Sequence, residues 1–382
     1  MNKNLFLLPI VCSIIFLSGC WDLNESERMY YIHSLAIDYI DGEYEVYMQL
    51  ISFGNVAKSE QLNQDIIQSE VSSEKGKTVD EAFFKLYHAI DERIFWGHLS
   101  FIVLSEEALK NNRINSLLNL LTRYRETRYQ TWVYCTDEPL NEFLKIVPLL
   151  KRSITLSKLA DPLNSYEQES FIEPMNLRQL LIQINEPSYE AKIPYVKLKD
   201  DWETQKGSNK SVKVAGVGII SRENYKGSIL EDSAHGIKWL TNKTARGPIT
   251  SRLDDSQYIT AAVEDLKVKV KPIVEGNNVR FDINLTLTVG LNSFSSKLTV
   301  TEIKKAITKE VQKEIKDTFK KGLKLNVDIY RLSEVLYRDN VKVWKKLQKD
   351  GKIELTENSI RNINVAVEKV ATGRKSFEPV VE

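Results

Sequence analysis

The reactive group best defined by its neighbours is the thiol of Cys20, which closes the run Leu17-Ser18-Gly19-Cys20 behind an apolar N-terminal segment. That order of residues is a lipobox. Its chemistry is transfer of a diacylglyceryl group to the sulfur, cleavage before the cysteine, and N-acylation of the freed amine. Lys3 supplies the positive start of an export signal, Leu5 to Leu17 are apolar apart from Ser13, and small residues precede the cysteine. A bilayer-spanning helix needs about 20 apolar residues. This run is shorter, contains Pro9, and meets Asp22, Glu25 and Glu27 directly afterwards. An ordinary signal-peptidase site wants a small residue where Leu17 stands. Residues 1–19 are therefore expected to be a signal peptide, with Cys20 heading a chain held to a membrane by its acyl chains. More than one chain matters, because a single acyl chain binds only marginally and reversibly.

Other reactive groups form no such constellation. His33, His88, His98 and His235 do not stand at metal-ligand spacing from one another or from a cysteine. With Cys12 lost in the signal and Cys20 spent on lipid, Cys135 remains alone, so no internal disulfide forms. Gly216-x-Gly218 lacks the third glycine and the following helix of a dinucleotide site, and reads as close backbone packing. There is no G-x-S-x-G elbow and no Walker lysine motif. The acidic pairs Asp91-Glu92, Glu106-Glu107 and Asp254-Asp255 read as helix-start or loop carboxylates rather than an acid and a base. The expectation is a protein without enzyme activity, cofactor, metal or nucleic-acid partner. Two contact candidates remain. Trp96 and His98, around Gly97, stand between a helix and a strand, where an imidazole is either a pH-sensitive contact or part of a hydrogen-bonded structural turn. Trp21 follows the lipid cysteine, where its ring suits the headgroup level, and Asp22 with Glu25 suits a short helix cap.

The chain must position these groups with 382 residues, of which 42% are hydrophobic and 27% charged, an ordinary globular balance. From residue 260 onward the charge is +7, and from Cys20 to Ile259 it is −7. Solvated helix surface accounts for this asymmetry; contact with anionic lipid or an acidic partner is the alternative. Alternation predicts a hairpin from Met29 to Ile51 turning at Asp41-Gly42. Thr78 to Glu81 opens a helix with a capping box. Strands are predicted at 99–104 and 129–135, a helix from Ser105 to about Tyr124, short helices between Pro139 and Pro148 and at 176–184, loose text from 186, a strand at 212–220 and a short helix at 232–240. In the last third, Leu266 to Val270 and Val279 to Val289 alternate around Gly276-Asn277-Asn278. Ile303, Ile307, Val311, Ile315 and Phe319 then recur every four residues behind a second capping box at Thr299 to Glu302. Two shorter helices and a strand at 363–370 follow. The expected fold is α+β: an N-terminal domain over 20–185, a small middle domain over 186–255, and a C-terminal domain over 256–382 made of a β-hairpin and a long helix.

Cys20-Trp21-Asp22-Leu23-Asn24-Glu25, with a strand ending in Ala36-Ile37-Asp38, resembles the start of Ger(x)C family spore germination lipoproteins. Phe95-Trp96-Gly97-His98-Leu99 running into Ser105-Glu106-Glu107 is similar to an internal signature of that family, as are Arg128 to Glu138, Gly236 to Thr241, Lys269 to Pro272 and Asp328 to Arg338. Ser228 to His235 and the Ala371-Thr372-Gly373-Arg374 end depart from the pattern. The resemblance implies the C subunit of a nutrient germinant receptor with three α+β domains and no catalysis. It would be tethered to the outer face of the inner spore membrane beside a membrane-embedded A subunit and a transporter-like B subunit. The alternative is a lipoprotein that captures a small solute for a transporter; an envelope hydrolase would need a constellation not found.

Overall fold

The computed structural model describes residues 29–51, 69–123, 127–204, 207–222, 224–253, 257–293 and 298–371. Leu17, Ser18, Gly19, Cys20 and Trp21 lie outside them. The described residues open with strands β1 (Met29–Ile40), β2 (Glu43–Ile51) and β3 (Ser69–Gly76), followed by helix α1 (Val79–His88), β4 (Arg93–Phe95) and β5 (Phe101–Ser105). Helices α2 (Glu106–Leu109) and α3 (Ile114–Arg123), strand β6 (Trp132–Thr136) and helices α4 (Leu140–Leu144), α5 (Leu163–Gln168) and α6 (Leu177–Asn185) come next. Then follow β7 (Glu190–Thr204), β8 (Gly207–Ser221), β9 (Asn224–Leu230), a 3-10 segment Glu231–Leu240, and β10 (Gly247–Arg252). The described residues finish with β11 (Tyr258–Glu275), β12 (Asn278–Ser293), α7 (Val300–Lys324), α8 (Leu332–Asp339), α9 (Val341–Leu347) and β13 (Ile360–Ala371).

Among the described residues the strands form two mixed sheets, so the α+β expectation holds. The larger runs β3-β2-β1-β5-β6-β7-β8-β9, with β4 also on β1, and the smaller runs β10-β11-β12-β13. Local sequence explains several elements. Asp41 and Gly42 both take positive φ (55° and 88°), as a two-residue turn matching strand twist requires, and seat Ile40 opposite Glu43. Thr78 accepts the Glu81 backbone N–H at 3.1 Å to start α1. Thr299 and Glu302 complete a reciprocal capping box on α7, whose Ile303, Ile307, Val311, Ile315 and Phe319 are all buried. Pro272 sits beyond the part of β11 that β10 pairs, where one edge is open and a missing N–H is tolerated.

Three expectations change. The helix expected from Ser105 to about Tyr124 is broken into α2 and α3, because Asn111 and Asn112 adopt left-handed backbone (φ 53° and 64°). The text read as loose after residue 186 is the long β7–β8 hairpin, paired from Glu190 with Ser221 to Thr204 with Gly207. Asp200-Asp201 and Pro194 mask a strand whose Ala191, Ile193 and Tyr195 are buried. The stretch 186–255 also has no sheet of its own: β7 to β9 extend the larger sheet and β10 begins the smaller.

Two layers cover the larger sheet. Ile102 and Leu104 of β5 pack with α1, α3 and α6, while Phe101 and Val103 face Tyr134, Phe143 and Leu144. A strand covered on both faces reads as a continuous apolar run, which is how Phe101 to Leu104 reads. Val217, Ile219 and Ile229 of β8 and β9 join the core that α7 makes with Phe281, Ile283, Leu285 and Leu287, so the halves share a continuous interior.

Candidate functional site

Trp96 and His98 are adjacent in the chain but serve differently. Trp96 is buried with its ring 5.2 Å from Phe83, and its carbonyl accepts the Leu99 N–H at 3.1 Å, closing the turn into β5. It is a core anchor. His98 is half-buried and lies edge-on to Tyr31 at 5.3 Å and tilted against Phe95 at 5.7 Å. Burial, with the Arg128 charge, holds its imidazole below the usual histidine range. Ser100 donates to the His98 carbonyl at 3.1 Å and lies 3.3 Å from Nδ1 of His33, bringing together two histidines that are 65 positions apart.

His33 has 1% of its surface exposed, and its ring stands edge-on to Phe101 at 5.6 Å. It forms part of the wall of a cavity of about 590 Å³ between the 143–159 segment and the β7–β8 hairpin. Burial lowers its pKa from 6.5 to about 4, a backbone hydrogen bond with Ile154 acting in the opposite direction. Below pH 6.5 the unfolded chain takes up a proton that the folded chain refuses until about pH 4, so stability from neutral His33 is lost as pH falls through that window. Between about pH 7.5 and pH 4 this one group is expected to remove about 3 kcal/mol. Urea unfolding of the wild type and His33→Gln at both pH values checks it; an equal acid loss in both proteins refutes the assignment.

A second cluster fastens the halves together. Glu190, 2% exposed at the start of β7, accepts from Ser221 at 3.2 Å, from the Lys352 ammonium at 3.2 Å and from the Asp328 N–H at 2.6 Å. Asp328 accepts the Leu332 and Ser333 N–H groups at 2.9 and 2.6 Å, capping α8 from four and five residues upstream. Arg331, in left-handed backbone (φ 55°), donates to the carbonyls of Gln183, at 3.2 Å, and Glu190 and pairs with Glu334. Lys192 donates to the Ile329 carbonyl at 3.1 Å. Burial, reinforced by Asp328, pushes the Glu190 carboxyl up; burial likewise raises Asp328 against its two N–H donors. Burial and the Arg331 charge pull Lys192 down to about 8.

A third cluster explains the Gly236 to Thr241 motif. Glu314 of α7 meets Trp239 Nε1 at 2.6 Å, Lys238 at 3.3 Å and His235 at 3.5 Å. Burial alone would raise Glu314, but these three neighbours more than offset it and hold it low. Gly236 permits the approach: a Cβ there would come within 2.4 Å of the Glu314 carbonyl oxygen. Elsewhere, Glu106 accepts the Tyr195 and Tyr225 hydroxyls at 2.9 and 2.6 Å, and Gly218 packs where a Cβ would lie 2.5 Å from the buried Cys135 sulfur. Close packing, as read from the sequence, accounts for that glycine.

These clusters are structural fasteners, with acids committed to caps, lysines and tyrosines. Among the described residues, no group of three His, Cys, Asp or Glu could hold a metal ion, and no helix is long and apolar enough to cross a membrane. The family model described as "Spore germination protein N-terminal domain" matches residues 22–198, and "Spore germination B3/ GerAC like, C-terminal" matches 215–373. The chain belongs to the Ger(x)C family of spore germination proteins. It is 26% identical to spore germination protein KC of Bacillus subtilis (strain 168) over 378 residues, covering 91% of this chain and 90% of that one. It is 23% identical to spore germination protein B3 of the same organism over 355 residues, covering 88% and 89%. The crystal structure of the GerBC protein matches with a TM-score of 0.55 at 18% identity, over 88% of this chain and 96% of that one, a likeness of fold. The two matched Ger(x)C segments end and begin inside β7 and β8, so each supplies one strand of a single hairpin.

Sequence reasoning missed Glu190, Lys192 and Lys352. Their partners lie up to 162 positions away, and no spacing rule reaches that far. Asp328 falls in a family-like stretch, yet its capping role needs the fold, since a cap ordinarily sits beside the first turn.

Proposed function

We propose that this protein is a lipid-anchored, non-catalytic subunit of a spore nutrient germinant receptor. Diacylglyceryl-Cys20 holds it at the outer face of the inner spore membrane, where it assembles with a membrane-embedded A subunit and a transporter-like B subunit. The observation that carries this reading is the pair of germination-family matches over 22–198 and 215–373. It is supported by the lipobox at Leu17 to Cys20 and by buried acids whose partners are structural. The anchor acts by effective concentration: a tether supplies avidity factors of roughly 10²–10⁴ without a new contact. Solute capture for a transporter has less support, because the two sheets among the described residues differ in strand number and do not make matching lobes.

Affinity capture of the full-length protein from detergent-solubilised spore inner membrane, with mass spectrometry of its partners and N-terminal peptide, tests the reading. Diacylated Cys20 together with a multi-span and a transporter-like protein is the expected result. Recovery with an ABC permease shifts the reading to solute capture, and unmodified Cys20 removes the anchor. Spores carrying Cys20→Ala are expected to germinate on the order of tenfold more slowly with the cognate nutrient, with normal amounts of folded protein. Wild-type germination rates would refute the anchor's role.

A further inference from the structure

Residues 143–160 carry Lys145, Lys151, Arg152 and Lys158 and no acidic residue. Within them, the turn Val147 to Leu156 displays apolar side chains outward: Val147, Leu149, Leu150 and Leu156 are all exposed, Leu150 to 89%. Leu150 and Lys151 both adopt left-handed backbone (φ 58° and 53°), a conformation that neither side chain favours, and the turn thereby projects Leu150 outward. Lys145, Lys151 and Arg152 form no ion pair among the described residues, whereas Lys210 and Lys213 on the neighbouring hairpin pair with Glu142 and Glu231. The turn is located by Ile154, which packs with Tyr31 and Met29 at the entry of β1. Met29 lies nine positions after Cys20, a reach of at most about 30 Å when extended. The apolar, basic turn is thus seated at the start of β1, the end of the described fold from which the chain runs back to Cys20.

We propose that the Val147–Leu156 turn is a second membrane contact: its leucines enter the headgroup layer of an anionic bilayer, and Lys145, Lys151 and Arg152 face lipid phosphate. Apolar side chains ringed by cations are the side-chain chemistry of an interfacial binding element. Two contacts, one at Cys20 and one at the turn, would set the orientation of the sheets over the membrane as a single tether cannot. The proposal rests on the anchored reading above.

The test uses the full mature protein purified from membranes, carrying Leu150→Cys labelled with an environment-sensitive fluorophore; Cys20 is blocked by lipid and Cys135 is buried. On vesicles of phosphatidylcholine with phosphatidylglycerol, a blue shift and quenching by lipid-borne quencher are expected, both diminished by Lys151→Glu with Arg152→Glu. Vesicle-bound protein whose probe stays aqueous overturns the turn contact and leaves the anchor standing. Protein that stays in the aqueous phase overturns both. A shift that appears only when the multi-span partner is co-reconstituted assigns the turn to a protein surface and overturns the lipid proposal.

Discussion

Asp328→Ala is expected to destabilise the protein by about 3–5 kcal/mol, the cost of breaking a buried charge network by removing one partner. Both carboxylate oxygens are committed, to Leu332 and Ser333 N–H at 2.9 and 2.6 Å, in a site with 3% exposure. Alanine would leave two buried donors unmet, each costing about 1–3 kcal/mol, and would remove the negative charge that faces Arg331 and Lys192. Asp328→Asn keeps one oxygen and should lose less. Urea unfolding at neutral pH measures both variants, and a loss below about 1 kcal/mol for alanine would show that water or a rearranged backbone replaces the cap. The pH dependence has a sign of its own. Glu190 and Asp328 are both held above the ordinary carboxylate range, so the folded chain keeps protons that the unfolded chain releases. Their contribution is fully present below the ordinary carboxylate range and is lost as pH rises from that range through their raised folded values, opposite in sign to His33.

Trp239→Ala ranks with it, at about 3–5 kcal/mol for an emptied aromatic site. Trp239, on the 3-10 segment, is fully buried, and its N–H donates to Glu314 of α7 at 2.6 Å. Truncation removes core volume and also a donor that helps keep a buried carboxylate charged. Trp239→Phe separates the two effects: it retains most of the volume but not the hydrogen bond, and about 1–3 kcal/mol is expected. Equal losses for the two variants would assign the whole cost to Glu314, and a near-neutral phenylalanine would assign it to packing. Thermal or urea unfolding monitored by far-UV dichroism distinguishes the outcomes.

The sequence alone determined the elements whose signals are local. Asp41-Gly42 specifies its hairpin because both positions tolerate positive φ. Thr299 with Glu302, followed by an apolar residue every fourth position, specifies α7, since a capping box and a helix face are relations within one or two turns. The signal from which a lipobox is expected at Leu17 to Cys20 is likewise local, and so are the Ger(x)C stretches. Tertiary structure decided what depends on distant partners. The loose text after residue 186 becomes a strand because β8 pairs with it and two cores bury its alternating faces. Ser100 brings His98 and His33 together across a parallel pair of strands, β1 and β5. Glu190 becomes a junction only when Asp328 and Lys352 arrive from 138 and 162 residues away. Periodicity reports which face of an element is apolar, but not which element will cover it. That choice is made by packing and by the requirement that every buried polar group find a partner.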